Sequence, residues 1–151
     1  LIDVVGFTRL SERLALFGAA GTEQMISTVT QALSTLTSAV EGYEGDVLLI
    51  AGDALLVLFD GADHAERAHA AAKDAKTALA RIARVQTQAG TVVLKVSQGL
   101  ASGEVLLVDA GTELRALLPF GQTMVAALDA QKKAGPGEIL VPDPMPSAIC
   151  S

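Results

Sequence analysis

The stretch Gly45-Asp46-Val47-Leu48-Leu49-Ile50-Ala51-Gly52-Asp53-Ala54-Leu55-Leu56 decides the fold. Two apolar runs, residues 46–50 and 54–59, are joined by Gly-Asp within a tight turn. Glycine followed by any residue between two such runs is the signal of a two-residue hairpin. Asp53 has two readings there. It serves ordinary turn chemistry, since Asp bonds nearby backbone in turns, or it is a carboxylate offered to a ligand at a strand end.

Upstream, residues 1–5 read as the end of a buried strand. Phe7, Leu10, Leu14 and Phe17 then recur at helical spacing, with Gly18 and Gly21 as punctuation. A second helix is expected over residues 22–41, with the apolar stripe Met25, Val29, Leu33, Leu36 and Val40. Downstream, an Ala-rich helix is expected over residues 62–88, ended by Gly90. Residues 92–100, 104–108 and 113–118 read as strands, 122–133 as a short helix and 138–141 as a last strand. The order of strand, helices, hairpin, helix and strand gives an α/β (α+β) class with a ferredoxin-like βαββαβ core and a mostly antiparallel sheet. Such a core sets the end of the first strand beside the hairpin turn, so Asp3 and Asp53 come within reach of each other. Residues 1–142 form one domain and 143–151 an irregular tail, and both ends read as cut from a longer polypeptide.

The remaining composition narrows the function classes. A net charge of -6 argues against nucleic-acid binding, which needs a basic surface. The apolar runs fall far short of the roughly 18 to 20 residues that span a bilayer, so no membrane segment is expected. A lone cysteine, Cys150, suits a reducing, cytoplasmic compartment. His64 and His69 read as surface or packing residues of the Ala-rich helix, and the cations from Arg67 to Arg84 as its solvated face.

The second informative stretch is Asp3-Val4-Val5-Gly6-Phe7-Thr8-Arg9-Leu10-Ser11-Glu12. An acid at a strand end is followed by a glycine turn and a helix start. The N–H groups of Gly6, Phe7 and Thr8 could cradle a polyphosphate bridged by metal ions to Asp3. The alternative is that Asp3 caps the helix. Arg9 and Arg13 follow and could approach phosphates, though an exposed helical position is the plainer reading.

In this order and spacing, the two stretches resemble the catalytic domains of class III adenylate and guanylate cyclases, which open on Asp-x-x-Gly-Phe-Thr and carry a Gly-Asp turn about fifty residues later. Three further segments share the resemblance: Ala62-Asp63-His64-Ala65-Glu66-Arg67-Ala68, Gly99-Leu100-Ala101-Ser102-Gly103-Glu104-Val105 and Pro136-Gly137-Glu138-Ile139-Leu140-Val141. The resemblance implies Asp3 and Asp53 as ligands of two Mg²⁺ or Mn²⁺ ions. It also implies conversion of ATP or GTP to a cyclic nucleotide and pyrophosphate.

Four positions depart from that pattern. A base-recognising Lys is replaced by Leu49, and a second base-selecting polar residue by Leu118. The ribose-orienting Asn is replaced by Val125, and the transition-state Arg by Asp129. The segment Phe120-Gly121-Gln122-Thr123 is more similar to the first halves of two-part cyclases, including bicarbonate-responsive soluble ones. That regulation is not carried over, because Leu49 and Leu128 are apolar where basic residues would be needed. The expectation is therefore the metal-carrying half of a composite site. It needs a complementary cyclase domain in the same or another chain, or a homodimer, to act. The competing expectation is a pseudo-cyclase that binds nucleotide weakly, or not at all, and regulates a larger signalling protein. A diguanylate cyclase is disfavoured, since no Gly-Gly-acid-acid-Phe segment occurs.

Overall fold

The computed structural model describes residues 1–88, 90–110 and 116–142. A five-stranded sheet in the order β2-β3-β1-β6-β9 forms its centre, and every pairing is antiparallel except β6 with β9. The strands β2-β3-β1-β6 follow the ferredoxin-like order, as expected from the sequence.

β1 is Ile2–Val5. Ile2 and Val4 point into the core, and alternation turns Asp3 and Val5 to the opposite face. α1, Phe7–Ala15, buries Phe7, Leu10 and Leu14. α2, Gly18–Glu41, starts four residues earlier than the sequence suggested. Gly21 does not interrupt it. A Cβ there would lie 1.9 Å from the Leu14 carbonyl oxygen, so this glycine lets the two helices touch backbone to backbone.

β2, Asp46–Ala51, and β3, Ala54–Leu58, form the expected hairpin, with Ala51 opposite Ala54. Gly52 takes φ 63° at the first turn position, a left-handed value that a primed hairpin turn requires. α3 is His64–Ile82. Its buried Ala71, Ala72, Ala75 and Leu79 join Ala32, Leu36 and Val40 of α2 in the core over one face of the sheet.

The sequence carried the third helix to residue 88. Instead β4, Arg84–Thr87, pairs with β5, Gly90–Val93, as a two-stranded ribbon, and Gly90 opens its second strand. Pairing with residues 90–93 outweighs the helix propensity of the Ala-Arg-Val-Gln stretch, whose Val85 packs on the core. The expected strand over 92–100 is likewise two elements, β5 and β6, Lys95–Gly99, parted at Leu94. β7, Leu106–Ala110, and β8, Ala116–Phe120, form a second ribbon. The start of the strand expected over 113–118, and the tail 143–151, lie outside the described residues. α4 is Gln122–Lys133, as read from the sequence, and β9 is Ile139–Leu140.

α4 packs on the sheet face opposite α2 and α3. Gly99 makes this possible: a Cβ there would fall 2.2 Å from the Ala127 carbonyl and 2.3 Å from the Gln131 amide nitrogen. Gln131 Nε2 donates to Ser97 Oγ at 2.8 Å from the same helix. On the other face, the fully buried Gln98 donates through Nε2 to the Ala72 carbonyl at 2.8 Å.

Arg67 corrects the picture of a solvated cationic helix face. Its side chain is 17% exposed. It donates to the carbonyls of Tyr43, Glu44 and Asp60 and to Asp63 Oδ1. It thereby ties the α2–β2 loop and the end of β3 to the start of α3. The bond from Arg67 is the first cause that holds the Asp63 carboxyl below its usual value. His64 acts as a second latch, its Nδ1 on the Gly61 carbonyl and its Nε2 on Ser102 Oγ at 2.6 Å.

Candidate active site

The hairpin turn and β1 meet as the element order predicted. Asp3 lies opposite Ala54, and the Val4 amide donates to the Asp53 carbonyl at 3.1 Å. Burial raises the Asp3 carboxyl above its ordinary value, and the negative charge of Asp53 raises it further. The two carboxylates are therefore close enough to repel, on a sheet face that α2 and α3 leave open.

The alternative readings of both acids lose their support. The helix after Asp3 is capped by Gly6, at φ 113°, with no side-chain cap. Among the described residues, neither carboxylate takes a hydrogen bond, so Asp53 is not spent on its own turn. Two neighbouring carboxylates without a hydrogen-bond donor among the described residues are hard oxygen donors. No group of three or more potential metal-ligating side chains exists among the described residues. Mg²⁺ commonly binds through one or two carboxylates and completes its shell with water and substrate phosphate. The pair fits that mode.

The first-turn N–H groups at Phe7 and Thr8 follow Gly6 directly, and no side chain caps them. Phe7 itself is buried. A Cβ on Gly6 would lie 3.1 Å from the Val93 carbonyl and 3.2 Å from Leu94 Cδ2, which presses this loop onto the β5–β6 junction. Arg13 is held away, donating to the Thr91 carbonyl at 3.0 Å.

The four departing positions lie on β2, β8 and α4. Leu49 on β2 pairs with Leu56 on β3 and is 43% exposed. Leu118 is on β8 opposite Val108. Val125, 53% exposed, and Asp129 both lie on α4. Sequence reasoning overlooked Lys95 and Ser97, which share this face with Asp3. Strand alternation from the buried Val96 would have found them.

An apolar cavity of about 320 Å³ lies elsewhere, between Leu1, the end of β3, the start of α3, the loop after β6 and α4. Neither Asp3 nor Asp53 lines it. The Oε1 atom of Gln98, which borders it, is buried without a hydrogen-bond partner among the described residues. No helix among the described residues is long and apolar enough to cross a membrane.

A ferredoxin-like sheet with one acid on its first strand and another in the next hairpin turn is the arrangement anticipated for a nucleotide cyclase catalytic domain. Solved structures agree on the fold, which is that of class III adenylyl and guanylyl cyclase catalytic domains. The guanylyl cyclase domain of the RhoGC fusion protein from Blastocladiella emersonii, described as a non-canonical dimer, aligns with a TM-score of 0.74. It is 23% identical over 93% of this chain and 74% of that one. The guanylate cyclase domain of RhGC from Catenaria anguillulae, solved with GTP, gives 0.71 at 22% identity over 93% and 74%. The adenylyl cyclase CyaB from P. aeruginosa gives 0.69 at 21% identity over 93% and 72%. No protein-family model and no curated protein matches the chain.

Proposed function

We propose that this domain is the metal-carrying half of a class III-type nucleotide cyclase and completes its active site with a complementary domain. The observation that carries the reading is that Asp3 and Asp53 are neighbours whose charges act on each other, on the open side of a cyclase fold. The substrate is a nucleoside triphosphate, ATP or GTP. Its ribose 3′-oxygen attacks the α-phosphorus, the bond to the bridging oxygen breaks, and pyrophosphate leaves with that electron pair. The hydroxyl proton passes to solvent. Asp3 and Asp53 would hold two Mg²⁺ or Mn²⁺ ions. Such ions lower the pKa of an attacking hydroxyl and neutralise a leaving polyphosphate. The backbone N–H groups of Gly6, Phe7 and Thr8 are assigned to the polyphosphate.

The division of labour follows from what the chain lacks. Leu49 and Leu118 cannot hydrogen-bond a base. Val125 cannot orient a ribose, and Asp129 would repel the charge that develops in the transition state. A homodimer would double the carboxylates and supply none of the missing groups. Losing one preorganised transition-state donor costs about 10²–10³ in rate. The purified chain with Mn²⁺ is therefore expected to make cyclic AMP or GMP only at background. Robust turnover by the chain alone would overturn the half-site reading.

Mixing with a domain that carries the base-selecting pair, the Asn and the Arg should restore metal-dependent cyclisation, with at most one working site per pair. Asp3→Ala or Asp53→Ala in this chain should then abolish activity, whereas Val125→Ala should change it less than about twofold. Activity that survives both aspartate variants would make this domain a scaffold. The same four departures favour a second reading, a pseudo-cyclase with a regulatory role. Turnover separates the two: the pseudo-cyclase binds nucleotide weakly or not at all and predicts no Mn²⁺-dependent cyclic nucleotide even with the complementary domain present.

A further inference from the structure

We propose that the apolar cavity beside Leu1 is a docking slot for one more extended segment, an apolar strand joined to Leu1 that carries β1 onward between β3 and β6. The slot involves no nucleotide chemistry, so it stands apart from the proposed function. Among the described residues β1 pairs with β3 at Ile2–Leu55 and Asp3–Ala54, while β3 runs on to Leu58. The Val4 amide donates to the Asp53 carbonyl. Alternation along β3 therefore turns the backbone N–H and C=O of Leu55 and Val57 to the β1 side. The same register sets a residue joined to Leu1 opposite Val57. On β6, the Leu1 amine donates to the Gly99 carbonyl at 2.8 Å and the Gly99 amide returns a bond to the Leu1 carbonyl at 3.0 Å. The Leu100 amide turns the other way, to the Leu140 carbonyl, so Ala101 is the next residue whose backbone faces the slot.

The cavity of about 320 Å³ lies on that line. Val57 and Leu58 wall it on one side, Leu100 and Ala101 on the other. Ala68 and Ala72 of α3 line it from one helix layer, and Met124 and Ala127 of α4 from the other. A strand there is covered on both faces, so its residues should be apolar throughout rather than alternating. A small apolar ligand could use the same walls. It would leave the N–H and C=O of Val57 facing apolar surroundings, whereas a strand satisfies both. Leu1 supports the same occupant. Burial pushes its amine down to about 6, and a peptide N–H in that place would keep the bond to Gly99 with no charge to desolvate.

The test compares thermal melts of the parent chain with those of chains extended at Leu1 by Val-Val-Val, Gly-Ser-Gly or Val-Val-Pro. Val-Val-Val should raise the Tm by at least about 5 °C, and Gly-Ser-Gly should leave it within about 2 °C of the parent. Val-Val-Pro keeps an apolar surface but lacks the N–H due to meet the Val57 carbonyl, so it should lose at least about half of the gain. Hydrogen exchange reads the pairing directly: the Val57 amide should slow by at least about tenfold in the Val-Val-Val chain. The slot is refuted if Gly-Ser-Gly or Val-Val-Pro stabilises as much as Val-Val-Val, if Val-Val-Val leaves the Tm unchanged or lowers it, or if the Val57 amide exchanges at the parent rate. It is refuted equally if 1-hexanol at saturation raises the parent Tm as far as Val-Val-Val does, since the cavity is then a general apolar site. Each of these outcomes leaves the metal-half reading untouched.

Discussion

The two faces of the central sheet have opposite characters although they share the same strands. On the covered face, Ile2, Val4, Leu55 and Val96 meet Leu36, Ala75 and Leu79, and all are nearly inaccessible to water. On the open face the alternate residues are Asp3, Lys95, Ser97 and Leu49, and α4 covers only part of them. On the proposed reading, a period of two in the side chains separates what folds the domain from what it offers to a ligand or partner. Changes on one face should read out in stability, and changes on the other in binding and catalysis.

The largest effect expected in the isolated domain comes from the covered face. Leu36→Ala removes a fully buried side chain and should cost about 2–5 kcal/mol, measured by urea unfolding. A cost below about 1 kcal/mol would mean that this face is not the source of stability. Gly99→Ala tests the seam between faces. Its Cβ would meet α4 backbone rather than a movable side-chain tip, so a loss of about 1–3 kcal/mol is expected.

Open-face apolar positions should behave differently. Leu49→Ala and Val125→Ala, at exposed sites, should each stay within about 0.5 kcal/mol of the parent. A cost for Leu49→Ala near that of Leu36→Ala would show that a second copy covers this face in solution.

The smallest effect has the opposite sign. Asp3 keeps its proton to a higher pH folded than unfolded, so its contribution favours folding at low pH and is lost as pH rises through the raised folded value. At neutral pH without metal, its charge is a cost. Asp3→Asn should therefore stabilise the metal-free domain slightly, by well under about 1 kcal/mol because the site is partly solvated. The gain should vanish below the ordinary carboxyl value near 3.8 and reverse when Mn²⁺ is added. Thermal melts across pH would expose a wrong sign directly.

The sequence revealed the hairpin, α4 and the meeting of Asp3 with Asp53 because each rests on a local signal: a Gly-Asp turn, a helical period, an acid before a glycine. It hid the β4–β5 ribbon because Ala83, Arg84 and Gln86 suit a helix, and only pairing with residues 90–93 decides otherwise. Gly21 looked like a breaker because sequence does not show that Leu14 lies against it. Arg67 looked solvated because its acceptors are mostly backbone carbonyls, which carry no sequence signature. Lys95 lay outside any motif, and only register with β1 puts it on the face of Asp3.

Gly99 also bears on how permanent the missing chemistry is. The bare backbone at that position seats α4 on the sheet, and the seat fixes where Val125 and Asp129 stand. Both positions are exposed, so no core packing dictates their identity. On the proposed reading, this chain differs from a self-sufficient domain by a handful of side chains on an intact frame. The dependence on a partner is then a matter of inventory rather than architecture, open to reversal by point changes that leave the frame untouched.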